Sequence, residues 1–223
     1  MILKKSERAS LIAVPSVIEW KGLLPRVPLN NSFLRPKSLA PELDAACLGV
    51  GMAQFAGNLS RLIFSKNYSQ VFLLGVCGAY PGSLLSLEDI VRVDTEFVGD
   101  EGYLGSGNSF IPFNAKPFPY SASPYCRAPR VIQNFPGVKG ISVNMLSTDP
   151  EFLRFRARFS GAKVESMEGA VAFSICRASK ISIYEIRAVS NIVGERDKSK
   201  WKLQEALFAL RKKVLDPLIG SYR

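Results

Sequence analysis

Ile181-Ser182-Ile183-Tyr184-Glu185-Ile186-Arg187-Ala188-Val189-Ser190-Asn191 is rich in β-branched and aromatic residues and turns polar at its end. A near-continuous apolar run of this length fits a strand buried on both faces of a sheet. Outward from it, strand-length apolar runs recur at Ser10–Ser16, Ala46–Gly51, Val71–Val76, Val138–Met145 and Ala162–Ser166, and another begins at Asp89–Val93. Helical spacing lies between them. Ala53–Ser65 carries Phe55, Leu59, Leu62 and Ile63 on one face, and Asp197–Leu215 carries Leu203, Leu207, Leu210 and Val214. Pro150–Phe159 and Glu168–Ala178 also read as helices. Alternating strands and helices predict one α/β domain over residues 1–223, a three-layer α/β/α arrangement around a mainly parallel twisted central sheet. Six prolines between Pro112 and Pro136 predict a long loop.

The 223 residues suffice to bury roughly 70–75% of the surface of the unfolded chain. With 47% hydrophobic and 22% charged residues, the composition is that of a globular protein and excludes a disordered one. Histidine is absent. That removes Ser-His-Asp and Cys-His nucleophile pairs, HExxH zinc sites and any imidazole acid or base. Acid–base chemistry then falls to carboxylates, Lys, Tyr, Cys or positioned water. Cys47, Cys77, Cys126 and Cys176 are scattered without CxxC spacing, so no metal site is expected, and they read as reduced thiols of a cytoplasmic protein.

Lys4, Lys5 and Arg8 precede the apolar run Ala9–Ile18, as in a signal peptide, but Pro15, Ser16 and Glu19 break that pattern and favour a first strand. No run reaches the roughly 20 apolar residues of a membrane span, so no membrane partner is expected. The balance of 29 Lys+Arg against 19 Asp+Glu, a charge of +10, raises nucleic-acid binding as an alternative. Yet the basic residues are dispersed. Their densest group, Lys198, Lys200, Lys202, Arg211, Lys212 and Lys213, falls on the predicted C-terminal helix and reads as a solvated face, so no nucleic-acid partner is expected.

Ligands of open α/β sheets sit beyond the carboxyl ends of the strands. Four such ends stand out: Pro15–Glu19, Gly75–Tyr80, Glu165–Glu168 and Arg187–Asn191. Gly75-Val76-Cys77-Gly78-Ala79 lacks the spacing of a dinucleotide or phosphate loop; it is either a tight strand-end turn or a place where a flat ligand meets bare backbone. Glu165-Ser166-Met167-Glu168 either complements a helix dipole or offers a carboxylate to vicinal sugar hydroxyls. Arg187-Ala188-Val189-Ser190-Asn191 places polar groups where a buried strand emerges, and unpaired polar groups there are costly, which favours a functional role.

Gly49-Val50-Gly51 before a helix, Gly75–Ala79 followed by Glu88-Asp89-Ile90-Val91, Glu165–Ala170 and Arg187–Asn191 together resemble the nucleoside phosphorylase/nucleosidase family, in the order of its GxG, GSAGG…GDIV, VEMEGA and RAISD segments. The ending Ser190-Asn191-Ile192-Val193-Gly194-Glu195-Arg196-Asp197…Trp201 resembles a branch of that family that serves a route to menaquinone. The resemblance runs from about Leu11 to Leu215 and leaves out Pro112–Pro136.

It implies cleavage of a purine–ribose N-glycosidic bond by a cytoplasmic homodimer that needs no cofactor. By resemblance, Glu168 binds the ribose 2′- and 3′-hydroxyls beside Met167, Glu19 activates water, and Val76, Cys77 and Gly78 line base and sugar. Trp201 borders the purine, Ser190 orients Asn191, and Arg187 supports the glutamate or the ligand or forms a structural ion pair. Asn191 departs from the aspartate of adenine-specific members. An amide donates to the O6 or N7 of a 6-oxopurine, which points to futalosine and hypoxanthine release; the alternative is adenine release from methylthioadenosine, S-adenosylhomocysteine or aminodeoxyfutalosine. A second alternative is a basic nucleic-acid-binding protein or a catalytically silent family member. Phosphorylases of the family hold phosphate with arginines after the first strand. Here Val14-Pro15-Ser16-Val17-Ile18-Glu19 has none, and Glu19 would repel the anion, so water is the expected acceptor.

Overall fold

The computed structural model describes residues 9–29, 35–106, 109–114, 116, 118–121 and 128–223. Cys126 and the basic residues ahead of Ala9 lie outside them. The first half runs β1 (Ala9–Val14), α1 (Val17–Leu23), β2 (Lys37–Ala40), β3 (Leu43–Cys47), α2 (Met52–Ser65), β4 (Tyr68–Ala79) and β5 (Ile90–Val98). A hairpin of β6 (Gly102–Leu104) and β7 (Phe110–Pro112), the short β8 (Tyr120–Ser121) and α3 (Arg130–Gln133) follow. The rest is β9 (Gly137–Ser142), α4 (Pro150–Ser160), β10 (Val164–Ser166), α5 (Gly169–Ala178), β11 (Ser182–Ile192), α6 (Leu203–Leu210) and α7 (Asp216–Gly220).

Successive residues of β1 enter different cores, as a strand buried on both faces requires. Ile12 and Val14 pack with Trp20 of α1 and with Leu207 and Leu210 of α6. Leu11 and Ala13 pack with Phe55 and Leu59 of α2 and Phe173 of α5.

The fold is mixed α/β. Its main sheet runs β10-β9-β5-β11-β4-β1-β3-β2, with β8 against β5. β4, at its centre, is parallel to β1 and β11, as expected. β5 is antiparallel to β11 and β2 to β3, so the sheet is mixed. β10 pairs with β9 and also, antiparallel, with β4 through Val164–Ala79 and Glu165–Gly78. Strands β4, β11, β5, β9 and β10 therefore close into a ring. That closure brings the carboxyl ends of β4, β10 and β11 together.

Three expectations change in detail. The strand expected over Ala46–Gly51 is β3, which ends at Cys47, and Gly49–Gly51 form the turn before α2. The C-terminal helix starts at Leu203, because Asp197 accepts hydrogen bonds from Ser199 N and Oγ and closes a separate tight turn over Lys198–Lys200. The densest basic group is thus split between that turn and a wider helical turn at Arg211–Leu215. The Pro112–Pro136 stretch, read as a loop, also carries β8 and α3, whose Ile132 is fully buried in the core.

Candidate active site

The four strand ends singled out from the sequence border one cavity of about 320 Å³. Glu19, Val76, Cys77, Gly78, Met167, Glu168, Arg187, Ser190, Asn191 and Trp201 all line it.

Glu19 sits in the first turn of α1, and the turn itself aims it. Ser16 caps the helix: its N–H and Oγ–H donate to Glu19 Oε2 at 2.9 and 2.6 Å, while Glu19 N–H donates to Ser16 Oγ at 3.1 Å. This reciprocal capping box follows from the Ser16-x-x-Glu19 spacing. Val76 N–H, at the end of β4, donates to Glu19 Oε1 at 2.9 Å. Burial raises the Glu19 pKa, the charge of Glu168 raises it further, and Arg187, Ser16 and the Val76 amide pull it back.

Glu168 precedes α5 and is 3% exposed. Its Oε1 accepts from Gly51 N at 3.1 Å and its Oε2 from Arg187 Nη2 at 3.2 Å. Gly51 adopts φ +87°, a conformation that side chains other than glycine resist, so the Gly49-Val50-Gly51 turn serves to present an amide to this carboxylate.

Arg187 is 1% exposed and each of its three side-chain nitrogens has a hydrogen-bond partner. Nε donates to Glu185 Oε1 at 2.8 Å, Nη1 to Val76 O at 3.3 Å, and Nη2 reaches Ser166 Oγ at 3.5 Å as well as Glu168. Burial opposes its charge, but Glu185, Glu168 and Glu19 outweigh that and hold it cationic. The sequence leaves Arg187 to support the glutamate or the ligand or to form a structural ion pair; here it is paired with both Glu168 and Glu185.

The glycines of β4 make room for protein. A methyl group at Gly75 would lie 2.5 Å from Glu19 Oε1 and 2.7 Å from Arg187 Nη1. The bare backbone there lets both side chains reach the Val76 backbone, Glu19 its N–H and Arg187 its carbonyl. Burial pushes the Cys77 thiol up to about 12, so it remains a thiol at neutral pH and packs as an apolar group.

On β11 a bulge at Ser190 shifts the register from Val189–Cys77 to Asn191–Gly78 and re-aims the following side chain. Ser190 Oγ donates to Asn191 Oδ1 at 2.9 Å, with Cys77 O also in range at 3.3 Å. Asn191 Nδ2 donates to Ile192 O at 3.2 Å. Trp201 is fixed by its indole N–H, which donates to Glu195 O at 3.1 Å, and Lys202 N–H ties that loop back to Ser190 O at 2.8 Å. Met167 lines the wall between the two acidic groups of Glu165–Glu168.

Glu165 and Glu168 are both acidic residues of this segment, but Glu165 has different partners. Its Oε2 accepts from Tyr80 Oη at 2.6 Å and faces Arg156 Nη1 at 3.5 Å. Arg156 in turn donates to Met145 O at 3.0 Å and so anchors the loop that brings Leu146 and Ser147 to the cavity. Sequence reasoning reached Gly75 only as a place for close approach and Ser16 only as part of a strand end, and it missed Glu185. The capping spacing was a usable signal for Ser16, and a carboxylate inside a buried strand was one for Glu185.

No protein-family model matches the chain. Among solved structures it is similar to the 5′-methylthioadenosine/S-adenosylhomocysteine nucleosidase of Helicobacter pylori, with a TM-score of 0.78 at 14% identity over 97% of this chain and 100% of the other. The native futalosine hydrolase of Helicobacter pylori superposes with a TM-score of 0.73 at 15% identity, over 96% and 98%. These likenesses define a nucleosidase-type fold. In sequence, the chain is 32% identical over 182 residues to the futalosine hydrolase of Thermus thermophilus, covering 74% of this chain and 76% of that protein. It is 28% identical over 197 residues to that of Streptomyces coelicolor, covering 81% of each. The chain belongs to the futalosine hydrolase family.

Proposed function

We propose that the chain is a nucleosidase that hydrolyses the N-glycosidic bond of futalosine, releasing hypoxanthine and the dehypoxanthine sugar on a route to menaquinone. Family membership supports the reaction class. The observation that carries the assignment of roles is the hydrogen-bonding capacity left over on Glu19, Glu168 and Asn191 in one cavity.

An ionised carboxylate offers about four acceptor positions. Ser16 and the Val76 amide fill three on Glu19, which leaves one for the attacking water. Gly51 and Arg187 fill two on Glu168, which leaves two for vicinal ribose hydroxyls. Asn191 spends its oxygen on Ser190 and one amide hydrogen on Ile192 O. Its second hydrogen is available to O6 or N7 of the base.

Cleavage builds positive charge on the ribose ring, as in other oxocarbenium-like glycosidic reactions. The buried carboxylates around the single guanidinium of Arg187 favour that charge. Glu19, with its pKa raised, is suited to take a proton from water. Asn191 holds the departing base by donation and supplies no proton, so N7 is protonated from solvent. Val76, Cys77 and Gly78 form the floor, Met167 packs on the sugar, and Trp201 borders the purine.

The likeness to methylthioadenosine nucleosidases favours a second reading, release of adenine. Asn191 separates the two, because an amide aimed by Ser190 presents a donor to the base edge. Incubation with equal concentrations of futalosine, aminodeoxyfutalosine, methylthioadenosine and S-adenosylhomocysteine, with the released base identified, tests this. Hypoxanthine from futalosine is the expected product, and faster adenine release refutes the role given to Asn191.

The three-layer α/β/α arrangement belongs to the same proposal and is supported by the two cores on which β1 alternates. So do a single domain, a homodimer and a cytoplasmic setting without metal or cofactor, for which the family resemblance is the support. No helix among the described residues is long and apolar enough to cross a membrane.

A further inference from the structure

Behind Arg187, away from the cavity, two carboxyl groups face each other. Glu96 of β5 is 1% exposed and Glu185 of β11 is fully buried. Among the described residues, Glu185 Oε2 is the one buried side-chain polar atom that no donor satisfies. Such orphans are rare because they are costly. A methyl group at Gly169 would lie 2.6 Å from both Glu185 Oε2 and Glu96 Oε1, so the two oxygens converge over bare backbone. Gly140, register partner of Glu96 on β9, clears the other side.

The remaining oxygens are committed. Glu96 Oε2 accepts from Ser142 Oγ at 2.8 Å, and Glu185 Oε1 accepts from Arg187 Nε at 2.8 Å. Arg187, Glu168, Ser142 and the Cys77 thiol surround the pair, Glu19 also acts on Arg187, and one cation cannot balance four buried carboxylates. The cation touches Glu185, so the proton belongs on Glu96.

We propose that Glu96 and Glu185 form a carboxylic acid–carboxylate pair in which Glu96 Oε1 donates its proton to Glu185 Oε2, and that this pair positions Arg187 beneath Glu168 and Glu19. Burial raises both carboxyl groups above the ordinary range; the charge of Glu185 raises Glu96 further, whereas Arg187 and a hydrogen bond from Glu96 pull Glu185 back, which agrees with one proton retained on Glu96. Glu96 and Glu185 are positioning residues. Their effect on catalysis rests on the nucleosidase reading; the shared proton does not.

Infrared spectroscopy of the substrate-free protein in H2O and D2O reads the proton directly. At neutral pH the wild type shows a protonated-carboxyl band that E96Q removes. Absence of that band in the wild type, or its survival in E96Q, overturns the pair, and the wild-type spectrum decides alone if the variant does not fold. In turnover of futalosine, E185Q lowers kcat/KM about tenfold. The wild type loses activity at alkaline pH as the shared proton leaves, and E96Q, neutral throughout, lacks that loss. An alkaline limb identical in E96Q overturns the positioning role. A band without nucleosidase activity refutes the enzymatic reading and leaves the pair standing.

Discussion

Ser16 and Glu19 hold each other by three hydrogen bonds of 2.6 to 3.1 Å, and the same bonds that start α1 aim the Glu19 carboxylate at the cavity. One local motif therefore serves stability and chemistry together. Ser16→Ala should cost about 1 kcal/mol of stability, as loss of a helix cap does, measured by chemical denaturation. It should also lower kcat.

The pH profile of that variant is a separate prediction. The Ser16 hydroxyl holds the Glu19 pKa down against burial. Removing it raises the pKa further, so a reaction that needs ionised Glu19 loses activity at higher pH than in the wild type. The acid limb of kcat/KM should move upward in S16A, and an unmoved limb would contradict the assignment of Glu19 as base.

Gly75→Ala places a methyl group where Glu19 and Arg187 approach, at 2.5 and 2.7 Å. Overpacking of this kind costs about 1–3 kcal/mol. Because the methyl pushes apart two groups of the site rather than core side chains, we expect kcat/KM to fall far more than the melting temperature. Circular dichroism and turnover on the same samples check this.

Asn191→Asp exchanges a donor for an acceptor at the base edge while keeping the shape. The ratio of hypoxanthine to adenine release, measured with futalosine and aminodeoxyfutalosine, should fall by about tenfold or more. A ratio that stays constant places base selection elsewhere.

Much of this was legible in the chain. The strands at Val71–Val76 and Ile181–Ser190 are long and apolar, and the glycine-containing end of the first and the polar end of the second mark the cavity. Helix α1 leaves little trace in the pattern, because its apolar residues extend a strand-like run and its seven residues give periodicity little room; Ser16-x-x-Glu19 is the available sign. Asp197 looked like the start of a long helix, but its side chain serves the backbone of Ser199 instead. Glu96 and Glu185 stayed invisible as a pair because they meet through the antiparallel β5–β11 pairing and the register of Glu96 on Gly140, which local pattern does not encode. Closure of the ring through the Glu165–Gly78 pairing is non-local in the same way.

The most direct test of the account is product analysis after incubation with futalosine in phosphate-free buffer, for the wild type and for Glu168→Gln. The account predicts free hypoxanthine and an unphosphorylated sugar from the wild type, with turnover reduced about 100-fold or more in the folded variant. No hypoxanthine from a folded wild type, or full activity in E168Q, would contradict it.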